Sequence, residues 1–424
     1  MHPPFSRAIR PLLLSAALVS TGYAIDAGPV AIHGAVSATA SYSDRYDYLG
    51  NTAGTASINL VETILNANYR LSNGLRLSSQ LYAYKVGDYT ALTLDFASLD
   101  YSFNQRIGVR LGRVRHGEGL SGESQDVDMI RPFAYLPLDF YSKAERPLAS
   151  AIDGAQVYGN LRLSASSSVD YQIFGGWLPK LDPAAPLLTN SAGSAPFTTT
   201  DSDLIPIYGG WIAWNTPLEG LRLSTSAFFL TSLTFRGPVN SASSLARATS
   251  DARLLPGFFP PGAWDFLEAG KPATLQGRAH LLYFSAEYTR GNWQFSAEAR
   301  YLDQFTTTLL PILGAIPSGL RSDSYYAMTT WQAAPKLQFG TYYALGYANR
   351  NDRHGRTLIA LPAHTAWLKD FAFATSYNLA PWWLLKAEVH LLNGTKGIGA
   401  KDNGDAATWR PDWTYFALKT TVTF

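Results

Sequence analysis

The densest run of residues able to do chemistry lies between positions 116 and 151. Four carboxylates, Glu118, Glu123, Asp126 and Asp128, are followed by Arg131, Lys143, Glu145 and Arg146. Mixed charge of this kind does not by itself make a catalytic set. It can line a passage, orient water and sort solutes by charge. A second candidate is the carboxylate pair Glu287 and Glu298, close in sequence to Arg300. Acid–base catalysis by such a pair needs a positioned substrate or nucleophile. No motif supplies one, so an ion pair is the plainer reading. His33, His280 and His390 fall in regular segments and His116, His354 and His364 near loops, with no HxH or HxxxH spacing for a metal. The Gly-Gly pairs at 175–176 and 209–210 do not form a phosphate loop and are expected to admit close backbone packing. The chain has no cysteine, which excludes disulfides, thiolate metal sites and a thiol nucleophile. No cofactor and no enzyme activity are expected.

The elements that position these residues are read from alternation. In the last segment Phe416, Leu418, Thr420, Val422 and Phe424 share one face, and Tyr415, Ala417, Lys419, Thr421 and Thr423 the other. Only a strand separates those two sets. Similar alternation recurs near 31–43, 55–70, 74–86, 91–103, 106–115, 152–163, 168–178, 205–215, 220–231, 277–289, 292–305, 323–333, 336–348, 365–378, 382–393 and 413–424. The pattern is impure around Glu62 and shifts phase near Ala97-Ser98, as bulges would cause. About sixteen strands result, joined alternately by tight Gly-, Pro-, Asn- and Ser-rich turns and by connections that are mostly longer. The largest of these span roughly 116–151, 179–204 and 232–276.

Composition says what surrounds the strands. Residues 1–24 carry Arg7 and Arg10, the apolar run Leu12–Val19 and a Gly22-Tyr23-Ala24 end, the pattern of a secretory signal peptide. Without that segment the chain has 32 basic and 32 acidic residues, so charge gives no support for a nucleic-acid partner. Charged residues are only 16% of the chain, against about 25% in ordinary soluble domains. Aromatics reach 13% and tend to sit at the ends of apolar faces, as with Trp293 and Tyr301. An exported chain with these features is expected to fold as an all-β transmembrane antiparallel barrel spanning 25–424, with short periplasmic turns, long extracellular loops and lipid around it.

On these grounds the chain resembles the Gram-negative trimeric porin superfamily. Two local features carry the resemblance. One is the closing strand YFALKTTVTF, where Phe416, Val422 and the terminal Phe424 look like that family's signal to the barrel-assembly machinery. The other is Leu111-Gly112-Arg113 leading into the long third connection. That stretch is also similar to porin-like proteins with a GRV…GLxxExxDV…RP…LP segment. The family's acidic PEFGG-type element is absent. The resemblance implies a homotrimer, a third loop folded into the lumen, and passage of small hydrophilic solutes or ions. The constriction loop would then offer Glu118, Glu123, Asp126, Asp128 and Arg131. The pore wall would offer Arg76, Arg110, Arg113, Arg222, Arg300 and Lys386, setting acidic loop against basic wall. The apolar run Arg131–Tyr141 is expected to pin the loop to the wall, although its aromatics can also contact a ligand. A substrate-specific channel stays open through inward Tyr82, Tyr84, Tyr158 and Tyr342. An outer-membrane barrel enzyme is the third reading, and no catalytic motif favours it.

Overall fold

The computed structural model describes residues 25–27, 29–143, 146, 150–183, 197–239, 270–311, 314–358 and 361–424. The expected signal peptide and Glu145 lie outside them. Sixteen long strands form one ring. The first eight are β1 (Val30–Ser43), β2 (Ser57–Arg70), β3 (Leu75–Val86), β4 (Tyr89–Asn104), β5 (Ile107–Val114), β6 (Ile152–Ser164), β7 (Ser167–Trp177) and β8 (Pro206–Asn215). The rest are β9 (Leu221–Pro238), β10 (Pro272–Arg290), β11 (Trp293–Leu310), β12 (Gly314–Ala334), β13 (Leu337–Tyr347), β14 (Trp367–Ala380), β15 (Trp383–Asn393) and β16 (Asp412–Thr423). Two short segments, Ile25–Ala27 and Asp201–Ser202, add to β1 and β9.

Each long strand pairs antiparallel with its sequence neighbour, and β16 pairs with β1 from Tyr415↔Ser43 to Thr423↔Ala35. The closed barrel leaves no free edge, the only sheet form whose backbone is satisfied inside hydrocarbon. Alternation sets the two faces. In β16, Tyr415, Ala417, Lys419 and Thr421 are buried in the lumen. On the outside, Ile173, Leu391 and Leu418 are each more than half exposed. A continuous apolar exterior around a charged interior matches a barrel facing lipid.

One rim carries tight connections at 71–74, 105–106, 165–166, 216–220, 291–292, 335–336 and 381–382. The opposite rim carries the long loops. Two connections there are tight, Gly87–Asp88 and residues 311–313. The loop expected at 232–276 shrinks to 239–271 because β9 and β10 run further than alternation suggested, as do β11 and β12. Their extra length, such as Thr306–Thr308 and Pro317–Gly319, lacks an apolar face. Strands that rise beyond the hydrocarbon need no such face.

The irregularities expected near Glu62 and Ala97-Ser98 fall slightly upstream. Register breaks leave Asn59 unpaired in β2 and Asp95 unpaired in β4. The β4 bulge turns Asp95 inward, where it is buried.

Candidate functional site: the third loop inside the barrel

The connection from β5 to β6, residues 115–151, enters the lumen and touches the wall on nearly every side. Its first stretch crosses β7 to β11. His116 is fully buried, its ring 4.9 Å from that of Phe174 and 5.3 Å from that of Phe228. Burial without a countercharge lowers its pKa to about 4. Backbone N–H groups then anchor the chain: Gly117 to Gln172 Oε1 at 3.0 Å and Leu120 to Glu298 Oε1 at 2.7 Å. Glu118 accepts the Tyr283 hydroxyl, and Glu123 accepts from Gln172 at 2.8 Å.

The middle stretch turns toward the rim of tight turns through short 3₁₀ segments at Gly122–Ser124 and Asp128–Ile130. Asp126 lies 2.6 Å from Arg115 and 2.7 Å from Arg146, and both guanidiniums also reach Asp95. Asp128 lies 3.2 Å from Lys386 and 2.8 Å from Lys419 on the wall and accepts from Thr421 at 2.9 Å. Burial alone would raise both carboxyls. For Asp126, Arg146 and Arg115 outweigh it; for Asp128, Lys386 and Lys419 do. Both carboxyls are held well below the usual carboxylate range. Arg131 donates to the carbonyls of Ser124 and Gln125, closing this stretch on itself.

The last stretch, Arg131–Tyr141, climbs along β11 to β16. Phe133 packs 5.0 Å from Tyr342, Tyr135 5.9 Å from Tyr415, and Phe140 5.0 Å from Tyr326. The wall also grips the backbone. Glu388 accepts from the N–H of Ala134 at 2.7 Å and of Tyr135 at 3.2 Å. Lys386 donates to the Phe133 carbonyl at 2.8 Å, and Arg300 to those of Asp139 and Phe140 at 2.9 and 3.0 Å. Tyr141 donates to Glu298 at 2.5 Å, and Lys143 pairs with Glu62 at 2.7 Å. Two glycines make room. An added Cβ at Gly340 would sit 2.6 Å from Pro132 Cγ, and one at Gly346 would overlap the Asp139 carboxylate.

The aromatics therefore pin the loop. Charges join loop and wall in both directions, since loop Asp128 meets wall lysines while loop Lys143 meets wall Glu62. This corrects the expectation of a one-way field between acidic loop and basic wall. Of the expected wall residues, Arg300 and Lys386 meet the loop. Arg76 and Arg110 instead pair with Asp100, each at 3.1 Å, and Arg222 with Asp170 at 3.4 Å. Arg113 is corrected outright. It shares the outward phase of Leu111 and grips Asp153 at 2.6 and 2.9 Å on the exterior. The expected Glu287–Glu298–Arg300 ion pairing is also revised, because Glu298 accepts hydroxyls from Ser285, Tyr141 and Tyr326 at 2.5 Å each, and Glu287 accepts from Gln294. Tyr82, Tyr84, Tyr158 and Tyr342 do face inward. The sequence did not point to Lys419, Glu62 and Glu388 as loop partners, although alternation places Lys419 and Glu388 on inward faces. Phe424 pairs its backbone with Gly34 at 2.9 and 3.0 Å and lays its ring over that glycine.

The loop separates two hollows. On the long-loop side a cavity of about 640 Å³ is lined by Asp47, Asp88, Asp139, Arg300, Lys396 and Asp402, among others. On the other side a cavity of about 670 Å³ is lined by residues including His33, Asn66, Gln80, Arg115, Asp126 and Asp128. A void of about 10 Å³ beside Glu62, Asp128, Lys143 and Lys419 has room for roughly one water.

A closed sixteen-strand ring with its third loop folded inside decides the fold. Its fold is that of the porin-type barrels of outer membranes. Solved structures similar to it agree. An outer-membrane OmpT of Vibrio cholerae superposes with a TM-score of 0.53 at 13% identity, covering 95% of this chain and 100% of that one. The anion-selective porin of Comamonas acidovorans gives 0.51 at 13%, covering 93% and 99%. The outer membrane channel DcaP of Acinetobacter baumannii gives 0.51 at 10%, covering 93% and 97%. A trimer form of the Vibrio OmpT is likewise similar, with 0.51 at 14%, covering 94% and 100%. No protein-family model and no curated protein sequence matches the chain. At these identities the likeness to the porin-type barrels is one of fold.

Proposed function

We propose that this barrel is an outer-membrane channel that passes small hydrophilic solutes or ions by passive diffusion, with the third loop setting a narrow constriction. The observation that carries the reading is the pair of charged hollows lying on opposite sides of the loop inside one barrel. A channel needs wide aqueous mouths and a short selective region, and this arrangement provides both parts. No catalytic step belongs to this reading. Export through a cleaved leader, insertion by the barrel-assembly machinery and assembly as a homotrimer complete the proposal. The trimer is supported by the trimeric form of a structure similar in fold.

The density of loop packing favours a restricted, substrate-specific channel over a wide general one. Phe133, Tyr135, Leu138 and Phe140 are each almost wholly buried, and a loop held so firmly leaves little free cross-section. Planar-bilayer recording of the refolded protein tests this. Small, stable open steps with saturable block by one solute class support the specific channel, while large unblocked steps support the general one. Folded protein that never conducts rules out both.

A further inference from the structure

On the outward face of β10, β11 and β12, arginines crowd a level where lipid headgroups lie. Trp293 and Trp331 stack 5.5 Å apart near the rim of tight turns, and Tyr301 and Tyr325 meet 5.8 Å apart further along β11 and β12. Trp293 to Tyr301 is eight residues of one strand. At about 3.3 Å per residue and a tilt near 40°, that is roughly 20 Å along the barrel axis, close to the ~25 Å apolar band of such barrels. Phe305, four residues on, stands roughly 10 Å higher by the same geometry.

Around Phe305 the outward positions are cationic. The guanidinium of Arg278 lies 5.6 Å from the Phe305 ring centroid and that of Arg321 5.8 Å from it. His280 stands edge-on to the same ring. Two carboxylates share the face, and each is already occupied: Asp303 by Arg350 and Asp323 by Arg353. Arg278 and Arg321 are exposed and, among the described residues, take part in no ion pair. Two like charges on one ring repel each other unless an anion lies within reach of both. Planar guanidiniums suit a phosphate, which each can grip with two N–H groups.

We propose that this patch binds the phosphate-bearing headgroup of a membrane lipid, with Arg278 and Arg321 as its anchors and Phe305 as the platform that holds them. The inference rests on the barrel's being membrane-embedded, not on its conducting. The lipid source follows from position, since the patch caps the apolar band on the lipid side and lies outside the lumen.

Native mass spectrometry of the refolded barrel in neutral maltoside micelles tests it, with dioctanoylphosphatidic acid, dioctanoylglycerol and inorganic phosphate as probes. Heat-modifiable migration certifies the fold of every variant. The wild type is expected to hold phosphatidic acid and not the diacylglycerol. R278Q/R321Q is expected to lose at least tenfold in retention, with R278K/R321K keeping most of it and R106Q, at the opposite rim, keeping all of it. Should the double variant misfold, R321Q alone is expected to lose severalfold. Undiminished retention by R321Q and R278Q/R321Q overturns the proposal. So does equal retention of diacylglycerol. Inorganic phosphate that displaces the lipid at equal concentration would make this a free-anion site and overturn the lipid assignment. A barrel that binds the lipid but never conducts would refute the channel reading and leave this one standing.

Discussion

Lys419 Nζ, on the strand that closes the barrel, lies 2.8 Å from Asp128 Oδ2 of the third loop and 2.8 Å from Glu62 Oε2 on β2. One buried ammonium thus ties the loop to two parts of the wall. Removing the loop's half of this contact leaves Lys386 and Lys419 short of countercharge, and breaking a buried pair on one side costs about 3–5 kcal/mol. Asp128→Asn is therefore expected to loosen the loop, with larger and noisier conductance steps in planar bilayers. Steps of unchanged size and noise would show that the contact does not hold the constriction.

Acid is expected to act on the loop through His116 before it acts on the loop's buried carboxylates. A solvated histidine titrates near 6.5, whereas seated His116 is lowered to about 4 by burial. Loop seating is then at full strength above pH ~6.5 and weakens as pH falls toward 4, by up to about 3 kcal/mol. Asp126 and Asp128 have depressed values, so their contribution persists to below the ordinary carboxylate range of about 3.9. Neither ring nitrogen of His116 has a hydrogen-bond partner among the described residues, so an apolar ring there gives up no hydrogen bond. His116→Phe is expected to flatten the change in conductance between pH 7 and 4.5, and a variant that keeps the wild-type profile would refute the assignment.

The loop rests on Gly340 by shape. A side chain there meets Pro132 and the Phe133 ring within 2.8 Å, so Gly340→Leu should lift the 132–141 segment from the wall. Phe133→Ala should weaken the same contact by leaving a cavity, at about 3–5 kcal/mol. Limited proteolysis of the micelle-embedded barrel reads both. Faster cutting within 116–143 with intact heat-modifiable migration is expected, and wild-type resistance in both variants would remove the pinning role.

Ion preference should separate inward from outward cations. Lys386→Gln is expected to shift the reversal potential in a salt gradient toward cation preference. Arg113→Gln, on the exterior, should leave it unchanged. A shift caused by Arg113→Gln equal to that of Lys386→Gln would contradict its placement.

At the barrel seam, Gly34→Leu collides with the Phe424 ring, which lies within 3 Å of any Cβ at that position. Membrane assembly of this variant, and of one lacking Phe424, should fall. Normal yield of heat-modifiable barrel in both would show that the contact is dispensable.

Sixteen segments of alternation became sixteen long strands because lipid outside and water inside impose opposite chemistry on successive residues. That contrast vanishes above the bilayer, which is why the polar ends of β11 and β12 were read as loop. The pinning role of Phe133, Tyr135 and Phe140 was legible because so apolar a run cannot stay in water. Arg113 was misplaced by the Gly-Arg resemblance even though its phase with Leu111 already pointed outward. Lys419 was visible as an inward residue and Glu62 only as a break in the alternation, and their meeting with Asp128 and Lys143 depends on the path of the loop across the lumen, which no local pattern encodes. Glu298 was expected beside Arg300. It instead collects hydroxyls from two strands and the loop, an arrangement set by tertiary packing alone.

The docking partners of the third loop include Tyr415 and Lys419 on the final strand as well as Glu62 near the beginning of the chain. The part of the loop's seat around Asp128 and Lys143 is not complete until the two ends of the polypeptide meet. Closure of the ring and completion of that seat are therefore coupled in biogenesis through contacts of very long sequence separation. An incompletely closed intermediate would leave Asp128 without Lys419 and Tyr135 without Tyr415, with that stretch of loop in reach of whatever chaperone or insertase attends it.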